Sequence, residues 1–398
     1  MQTIKKFFNL PFFTKKKYII SIWFIIAIGS SIKQYLTRNP DNYNNYSIYK
    51  NVFFHTIHKL SLYTTYPNEY FDHNHYGPIF SIIIAPFAIF PDWLGMTLWS
   101  AFNAAVILYA INKLPLKYEQ INLILWIGAH EFLTTILSFQ FNPIMTAIII
   151  LSYVFIKDKK DFWAAMLIML GTFVKLYGIV GLAFFFFSKD KIKFIGSLVF
   201  WAILFFVLPM LLSSPEYILH TYVEWYERLV VKNSENASLI SMQDISFMGM
   251  FRRILHNPEL PNLPFLLFGL TLFGLPYLKI SSYKKEKFQL LLLCSVLIFT
   301  VIFSSGSESP TYIIAFLGVA IWFVIQDRPR SNRVLILFIF ALILTSFSPS
   351  DIIPKFLREN YIIPYALKAL PCVLIWFSIV YEMIFFKQSE EELKIVQQ

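Results

Sequence analysis

Apolar runs alternate with short polar turns along most of this chain. A membrane-spanning helix needs about 20 predominantly apolar residues, and a shorter one must tilt, thin the bilayer or lie within protein. On that measure the pattern predicts an all-α, polytopic membrane protein with about 12 spans. They fall near 18–36, 93–112, 121–138, 141–156, 163–175, 176–187, 194–212, 263–279, 288–304, 311–326, 333–347 and 361–386. Two long polar stretches, 37–92 and 213–262, become outer loops, and neither reads as a separate soluble domain. The chain is therefore expected to form one transmembrane domain over 1–387, followed by a cytoplasmic tail at 388–398. The N-terminal Lys5, Lys6 and Lys15 to Lys17 ahead of an apolar stretch resemble a signal sequence, but no small-residue cleavage site follows cleanly. That stretch is read as an uncleaved first span.

Segment 163–187 reads in two ways. As one helix it crosses once and turns every basic cluster from Lys189 onward (189–193, 279–287, 328–333) to the outer side. As two short helices it forms a hairpin, and those clusters stay cytoplasmic, as the positive-inside rule requires. Half-helices of this length are tolerated where protein or a water-filled cavity covers their backbone. Segment 79–91 (IFSIIIAPFAIFP) poses the same question, and counting it as a span breaks the alternation downstream. It is read as a helix lying at the outer surface or re-entrant.

Composition agrees with the pattern. Of 398 residues, 57% are hydrophobic and 15% charged, with 43 Phe; a soluble domain is about 45–50% apolar and about 25% charged. No soluble core of this size accommodates the excess, so a soluble enzyme and a disordered chain are excluded. The two cysteines, Cys294 and Cys372, sit in apolar runs and offer neither a disulfide framework nor a zinc knuckle. The net charge of +10 lies in loop clusters, which marks membrane sidedness rather than nucleic-acid binding.

Candidate chemistry gathers on the predicted outer side. Asp41 follows the first span closely, where a carboxylate meets a lipid headgroup and can act as a general base; an Asx-turn after Pro40 is the plainer reading. Asp72, His73 and His75 are metal-like residue types without the spacing of common sites. Lys175 stands in the apolar stretch MLGTFVKLYGIVG. An intramembrane Lys is expensive and pairs with a carboxylate or an anionic ligand, or else snorkels. His130 and Glu131 are ionisable groups within a helix, with Gln140 and Asn142 at its outer end, either lining a cavity or joining helices. Arg252 and Arg253 suit phosphate oxygens or lipid headgroups, and Glu308 lies in a short outer turn. Together these residues suggest one outward cavity for a lipid-linked phosphate and a polar acceptor.

The order of motifs resembles glycosyltransferase family 87, the integral-membrane enzymes of the GT-C class similar to the polyprenol-phosphate-mannose-dependent α-mannosyltransferases of bacteria. The likeness spans roughly residues 18–330. Its elements are Asp41, Tyr43 and Tyr46 after the first helix; Tyr76, Gly77 and Pro78 before Ala85–Pro91; Phe139 to Pro143; Lys175 to Gly178; and Asn236 and Ser238 before Arg252 and Arg253. The family usually has Pro at Gly77, Gly at Phe139 and often Pro at Gly178. The turn SGSESPT departs from its more usual Ser-Pro-x-Ser-Trp-x-His. The resemblance implies a GT-C fold in a bacterial plasma membrane with an extracytoplasmic active site. It implies transfer of a hexosyl group of mannosyl type from a polyprenyl-phosphate donor to a glycolipid or glycan acceptor, and it carries the family's proposed base to Asp41. Donor-phosphate contacts are expected from Lys175, Arg252 and Arg253. Substrate contacts are expected from Tyr43, Tyr46, Tyr76, His75, Gln140, Asn142, Glu131 and Glu308. No cofactor is expected; a divalent metal is compatible with the reaction but not required. The rival from another class is a transporter or lipid flippase, which favours two related halves with matching broken helices, and no such halves are visible.

Overall fold

A computed structural model describes residues 10–37 and 39–386. Lys5 and Lys6 ahead of the first span and the tail at 388–398 lie outside the described residues. In chain order the longer helices are α1 (Lys16–Leu36), α2 (Asn44–His58), α3 (Phe80–Ala88), α4 (Asp92–Asn112), α5 (Tyr118–Leu137), α6 (Asn142–Lys157), α7 (Asp161–Lys175), α8 (Lys191–Val207), α9 (Pro215–Asn236), α10 (Phe247–Ile254), α11 (Asn262–Gly274), α12 (Glu286–Ile302), α13 (Tyr312–Val324), α14 (Asn332–Phe340) and α15 (Leu370–Ile384). Among the described residues there is no strand. Four helical stretches are long and apolar enough to cross a membrane by length and composition: Lys16–Leu36, Asp92–Asn112, Lys191–Leu211 and Leu367–Ile384.

The core is a pair of neighbouring helices, α12 and α13, with α6 beside them. All of α13 is buried, and α6 and α12 nearly so. The rim is the reverse. Helix α8 buries only Phe194 and Phe205, and α11 only Gly269, while Ile192 and Leu211 are 84% and 80% exposed. Apolar surface of that extent is unstable against water and at home against lipid, so the molecule is a helical membrane protein.

Segment 163–187 is a hairpin. Helix α7 ends at Lys175, Leu176 takes a left-handed turn (φ 53°), and Tyr177–Phe187 returns as a 3₁₀-helix. A Cβ on Gly171 would meet Gly178, and one on Gly181 would meet Ile168. At the base, Ser188 donates to Asp161 at 2.8 Å. These pairings run antiparallel. Fifteen residues of α-helix at 1.5 Å rise and 11 residues of 3₁₀-helix at 2.0 Å both reach about 22 Å. The tighter winding thus lets a shorter arm match its partner. Residues three apart eclipse in a 3₁₀-helix, and Gly178, Gly181 and Phe184 form its buried face. The basic clusters Lys159–Lys160 and Lys189–Lys193 meet at the hairpin's base, as the charge pattern requires.

Helix α3 has only 9 residues and carries Pro86. It is too short to span and packs against α2. The last predicted span begins later than expected: a π-helix (Arg358–Ile362) ends at 362, residues 363–366 turn with Ala366 at φ 52°, and helix resumes at Leu367. Pro364 removes a backbone donor there. The polar stretches hold three helices not anticipated from hydropathy, α2, α9 and α10.

Candidate active site

A cavity of about 330 Å³ opens at the tip of the hairpin. Three segments build it. Helix α2 contributes Asn45, Ile48 and Tyr49, the loop after it Asp72, His73, His75 and Tyr76, and helix α9 Trp225, Leu229, Lys232, Asn233 and Asn236. The hairpin tip (Lys175 to Tyr177), Gln140, Gln243 and the 304–308 turn close it.

The tip is seated by backbone. Gly77 N–H donates to the Val174 carbonyl at 3.0 Å, and Trp225 Nε1–H donates to the His75 carbonyl at 3.0 Å. A Cβ on Gly77 would lie 2.0 Å from the Phe173 carbonyl oxygen and 2.9 Å from the Trp225 ring. Proline here would lose the Val174 bond, which explains glycine at this position. Gly77→Ala is expected to push the loop off the tip, costing about 1–3 kcal/mol of stability and lowering activity. Thermal unfolding in detergent checks the first effect and a transfer assay the second. Two other departures have similar causes. Gly178 lies against the Gly171 backbone, where a Cβ has no room. Phe139 takes the left-handed φ of 51° that glycine adopts freely, with its ring buried.

Lys175 Nζ donates to Asn142 Oδ1 at 3.0 Å and lies 5.7 Å from the Tyr76 ring centre and 5.3 Å from that of Tyr177. Tyr177 OH is 2.7 Å from Ser304 Oγ, and Tyr76 OH is 2.8 Å from Tyr49 OH. Opposite, Glu308 accepts from Gln140 Nε2 at 3.0 Å and from Gln243 Nε2 at 3.3 Å. Burial pushes the Glu308 carboxyl up, Lys175 and Lys232 pull it back, and the Asp72 charge adds to the upward push. Asp72 Oδ1 accepts from the His73 N–H at 2.7 Å. The His73 ring is turned by the Tyr63 carbonyl, 3.1 Å from Nδ1; a carbonyl only accepts, so Nδ1 carries the proton. His75 is different. Both of its ring nitrogens are buried without a hydrogen-bond partner. Burial first, then Lys232, Arg228, His73 and Lys175, hold its imidazole well below the usual histidine range, so it stays neutral.

The model of glycosyltransferase family 87 matches residues 74–305, more than half of the chain. The chain belongs to glycosyltransferase family 87. No curated protein matches it. The matched segment of this glycosyltransferase runs through Tyr76, Gln140, Lys175 and Lys232 and ends inside the 304–308 turn. A glycosyltransferase requires a sugar donor and an acceptor, and the transporter alternative is not favoured.

The cavity brings together five of the residues expected from sequence: Lys175, His75, Tyr76, Gln140 and Glu308. Asn142 holds Lys175 from behind. The others lie elsewhere. Asp41 is exposed, in a 3₁₀ turn (Pro40–Tyr43) whose cap is the Asn39 side chain, and does not line the cavity. Tyr46 is buried and donates to the Phe87 carbonyl at 3.0 Å, and Tyr43 packs near Tyr35. Glu131 is buried against Lys368, at 3.0 Å.

The arginines brace the outer loop instead of facing Lys175. Arg252 binds Asp244, Asn262 and the Leu260 carbonyl (3.0 Å). Arg253 binds the carbonyls of Ser241, Gln243 and Ile363. Neighbours on a helix point about 100° apart, so the pair diverges. Asp72, His73 and His75 belong to no metal-holding group among the described residues.

Sequence reasoning missed Lys232, Asn233 and Gln243, and named Asn236 only as a motif residue without placing it in a site. A signal was present: Trp225, Leu229, Lys232 and Asn236 recur at helical spacing along 215–236, and that stripe is the face α9 turns to the cavity.

Proposed function

We propose that this glycosyltransferase moves a hexosyl group of mannosyl type from a polyprenyl-phosphate donor to a glycolipid or glycan acceptor. It works at the extracytoplasmic face of a bacterial plasma membrane, in a GT-C fold of about twelve membrane segments. The observation that carries the reading is the cationic corner of the cavity. Lys175 and Lys232 line the same space as His75, whose two ring nitrogens have no partner. An unsatisfied buried polar group costs about 1–3 kcal/mol, and a phosphate oxygen relieves it by accepting an imidazole N–H.

The chemistry follows from that corner. The acceptor oxygen attacks the anomeric carbon as the bond to the phosphate oxygen breaks, with inversion in a single displacement. The electron pair leaves on the lipid phosphate. Lys175 and Lys232, already in place, stabilise the charge as it develops. Gln140, Gln243, Asn233 and Asn236 offer amide groups to sugar hydroxyls, and Tyr76, Tyr177 and Trp225 offer ring faces to its C–H surface. No metal or other cofactor enters the scheme.

The test is transfer by the full-length protein in proteoliposomes, supplied with decaprenyl-phosphate-[14C]mannose and total membrane lipid as acceptor. The expected result is label moving into a more polar lipid or glycan. Consumption of a nucleotide sugar with the lipid-linked donor untouched overturns the reading. In the same assay Lys232→Ala is expected to raise the donor concentration for half-maximal rate by about tenfold, one charge-assisted contact being worth about 1.5 kcal/mol.

A further inference from the structure

We propose that Asp72 is the general base that takes the proton from the acceptor hydroxyl. The inference rests on the donor reading above and adds the one group that reading lacks. Two carboxylates line the cavity, Asp72 and Glu308. Glu308 is committed: both oxygens accept side-chain amides, from Gln140 and Gln243, and it balances Lys175 and Lys232 across the cavity. Asp72 is held through one oxygen only. Its Oδ1 accepts the His73 N–H at 2.7 Å, which fixes the rotamer, and its Oδ2 has no partner among the described residues. A base needs that arrangement, a fixed carboxylate with a free lone pair facing the substrate space.

Its support is rigid. Asn74 Oδ1 accepts the Tyr76 N–H at 3.0 Å, while Asn74 Nδ2 and Tyr63 OH both donate to the Tyr76 carbonyl. Phe71 N–H donates to Asn44 Oδ1 at 2.9 Å, tying the segment before Asp72 to α2. Asp41, by contrast, is exposed and outside the lining. The matched family segment begins at residue 74, so it includes neither aspartate.

The step balances. The acceptor O–H bond breaks and its proton moves to Asp72 Oδ2, while the acceptor oxygen forms the bond to the anomeric carbon. The bond from that carbon to the phosphate oxygen breaks with its electron pair. The proton on Asp72 then leaves to solvent through the open side of the cavity, and no oxidant or further reactant is involved.

The experiment uses full-length Asp72→Asn, Asp72→Glu, Asp72→Ala, His73→Gln and Asp41→Asn proteins in proteoliposomes. Transfer and binding of decaprenyl phosphate are read separately. Asp72→Asn is expected to lower turnover by about 10²–10⁴-fold with decaprenyl-phosphate affinity and KM unchanged. Asp72→Glu should keep part of the activity, and added formate should restore part of it to Asp72→Ala, which a merely structural role does not predict. Asp41→Asn should transfer as wild type. Retention of most activity by Asp72→Asn, or a joint loss of transfer and phosphate binding, overturns the assignment. So does a full loss in Asp41→Asn or His73→Gln alone. If decaprenyl phosphate fails to bind wild type while a different donor is used, the donor reading fails by itself. The Asp72→Asn comparison with that donor then still decides the base.

Discussion

Lys175→Met is expected to lower kcat/KM for transfer by about 10²–10³-fold, the loss seen when one preorganised group at a developing charge is removed. Methionine keeps the length and apolar stem, so the hairpin should stay folded; what disappears is the ammonium at its tip. That ammonium is the cation placed most firmly. It is anchored on Asn142 Oδ1 at 3.0 Å, flanked by the rings of Tyr76 and Tyr177, and set at the last residue of α7. A fixed charge costs no reorganisation as the phosphate departs, whereas a mobile surface lysine must first be ordered. The effect should appear mainly in kcat, because charge on the leaving oxygen is greatest in the transition state. Lys175→Arg keeps the charge but not the compact shape, and should fall between. Pairing Lys175→Met with Glu308→Gln gives a second readout. Glu308 loses the charge that pulls its carboxyl down most in the single variant, so the two changes should not add. Steady-state kinetics on the four proteins measures both effects, and unchanged turnover in Lys175→Met removes the ammonium from the mechanism.

Four of the predicted spans, 18–36, 93–112, 194–212 and 361–386, coincide with helices long and apolar enough to cross a membrane; they were legible because burial in lipid demands long apolar runs, and those runs need no tertiary knowledge. The hairpin at 163–187 was legible for a related reason: charge clusters on both sides had to share a face. The outer helices were not. Helix α9 mixes apolar and polar residues and has only a narrow buried face, Ile218, Thr221, Trp225 and Asn236, so its stripe is visible only when helical phase is tested.

An isolated polar group interrupting an apolar run, as at Lys175, leads to the cavity; position along the chain does not stand in for direction in space. Asp41, which does not line the cavity, illustrates the second point. Asn45, Ile48 and Tyr49 share one face of α2, and a helix continued backwards brings residue 41 onto that face. The chain instead starts α2 after Tyr43, at φ −126° and ψ 24°, with a separate 3₁₀ turn before it. The break swings Asp41 away. Arg252 and Arg253 are adjacent, which on a helix means divergence, and each binds a different part of the outer loop. Lys368 was absorbed into a predicted span, because the residues around it (ALKALP) are apolar and its partner lies far off in sequence.

That partner is Glu131, and separating the two should be the costliest single change outside the cavity. Glu131 is 0% exposed and Lys368 3%. Lys368 Nζ donates to both Glu131 oxygens, at 3.0 and 3.3 Å, and to Ser309 Oγ at 3.1 Å, and it lies 5.1 Å from the Tyr312 ring centre. All three N–H donors of the ammonium are used, and both side chains are sealed from bulk solvent. Removing one member of a buried pair leaves the other charge uncompensated, which costs about 3–5 kcal/mol. Lys368→Met and Glu131→Gln should each lower the thermal unfolding temperature in detergent markedly. The double variant should lose much less than the sum, because neither charge is then stranded. The consequence reaches the site through Ser309, which adjoins Glu308 in the turn. Each single variant should also reduce transfer as the Glu308 carboxylate shifts from Gln140 and Gln243, and the double variant should recover some of it. Strictly additive losses in both stability and transfer would show that the pair is not coupled and that the turn does not depend on it.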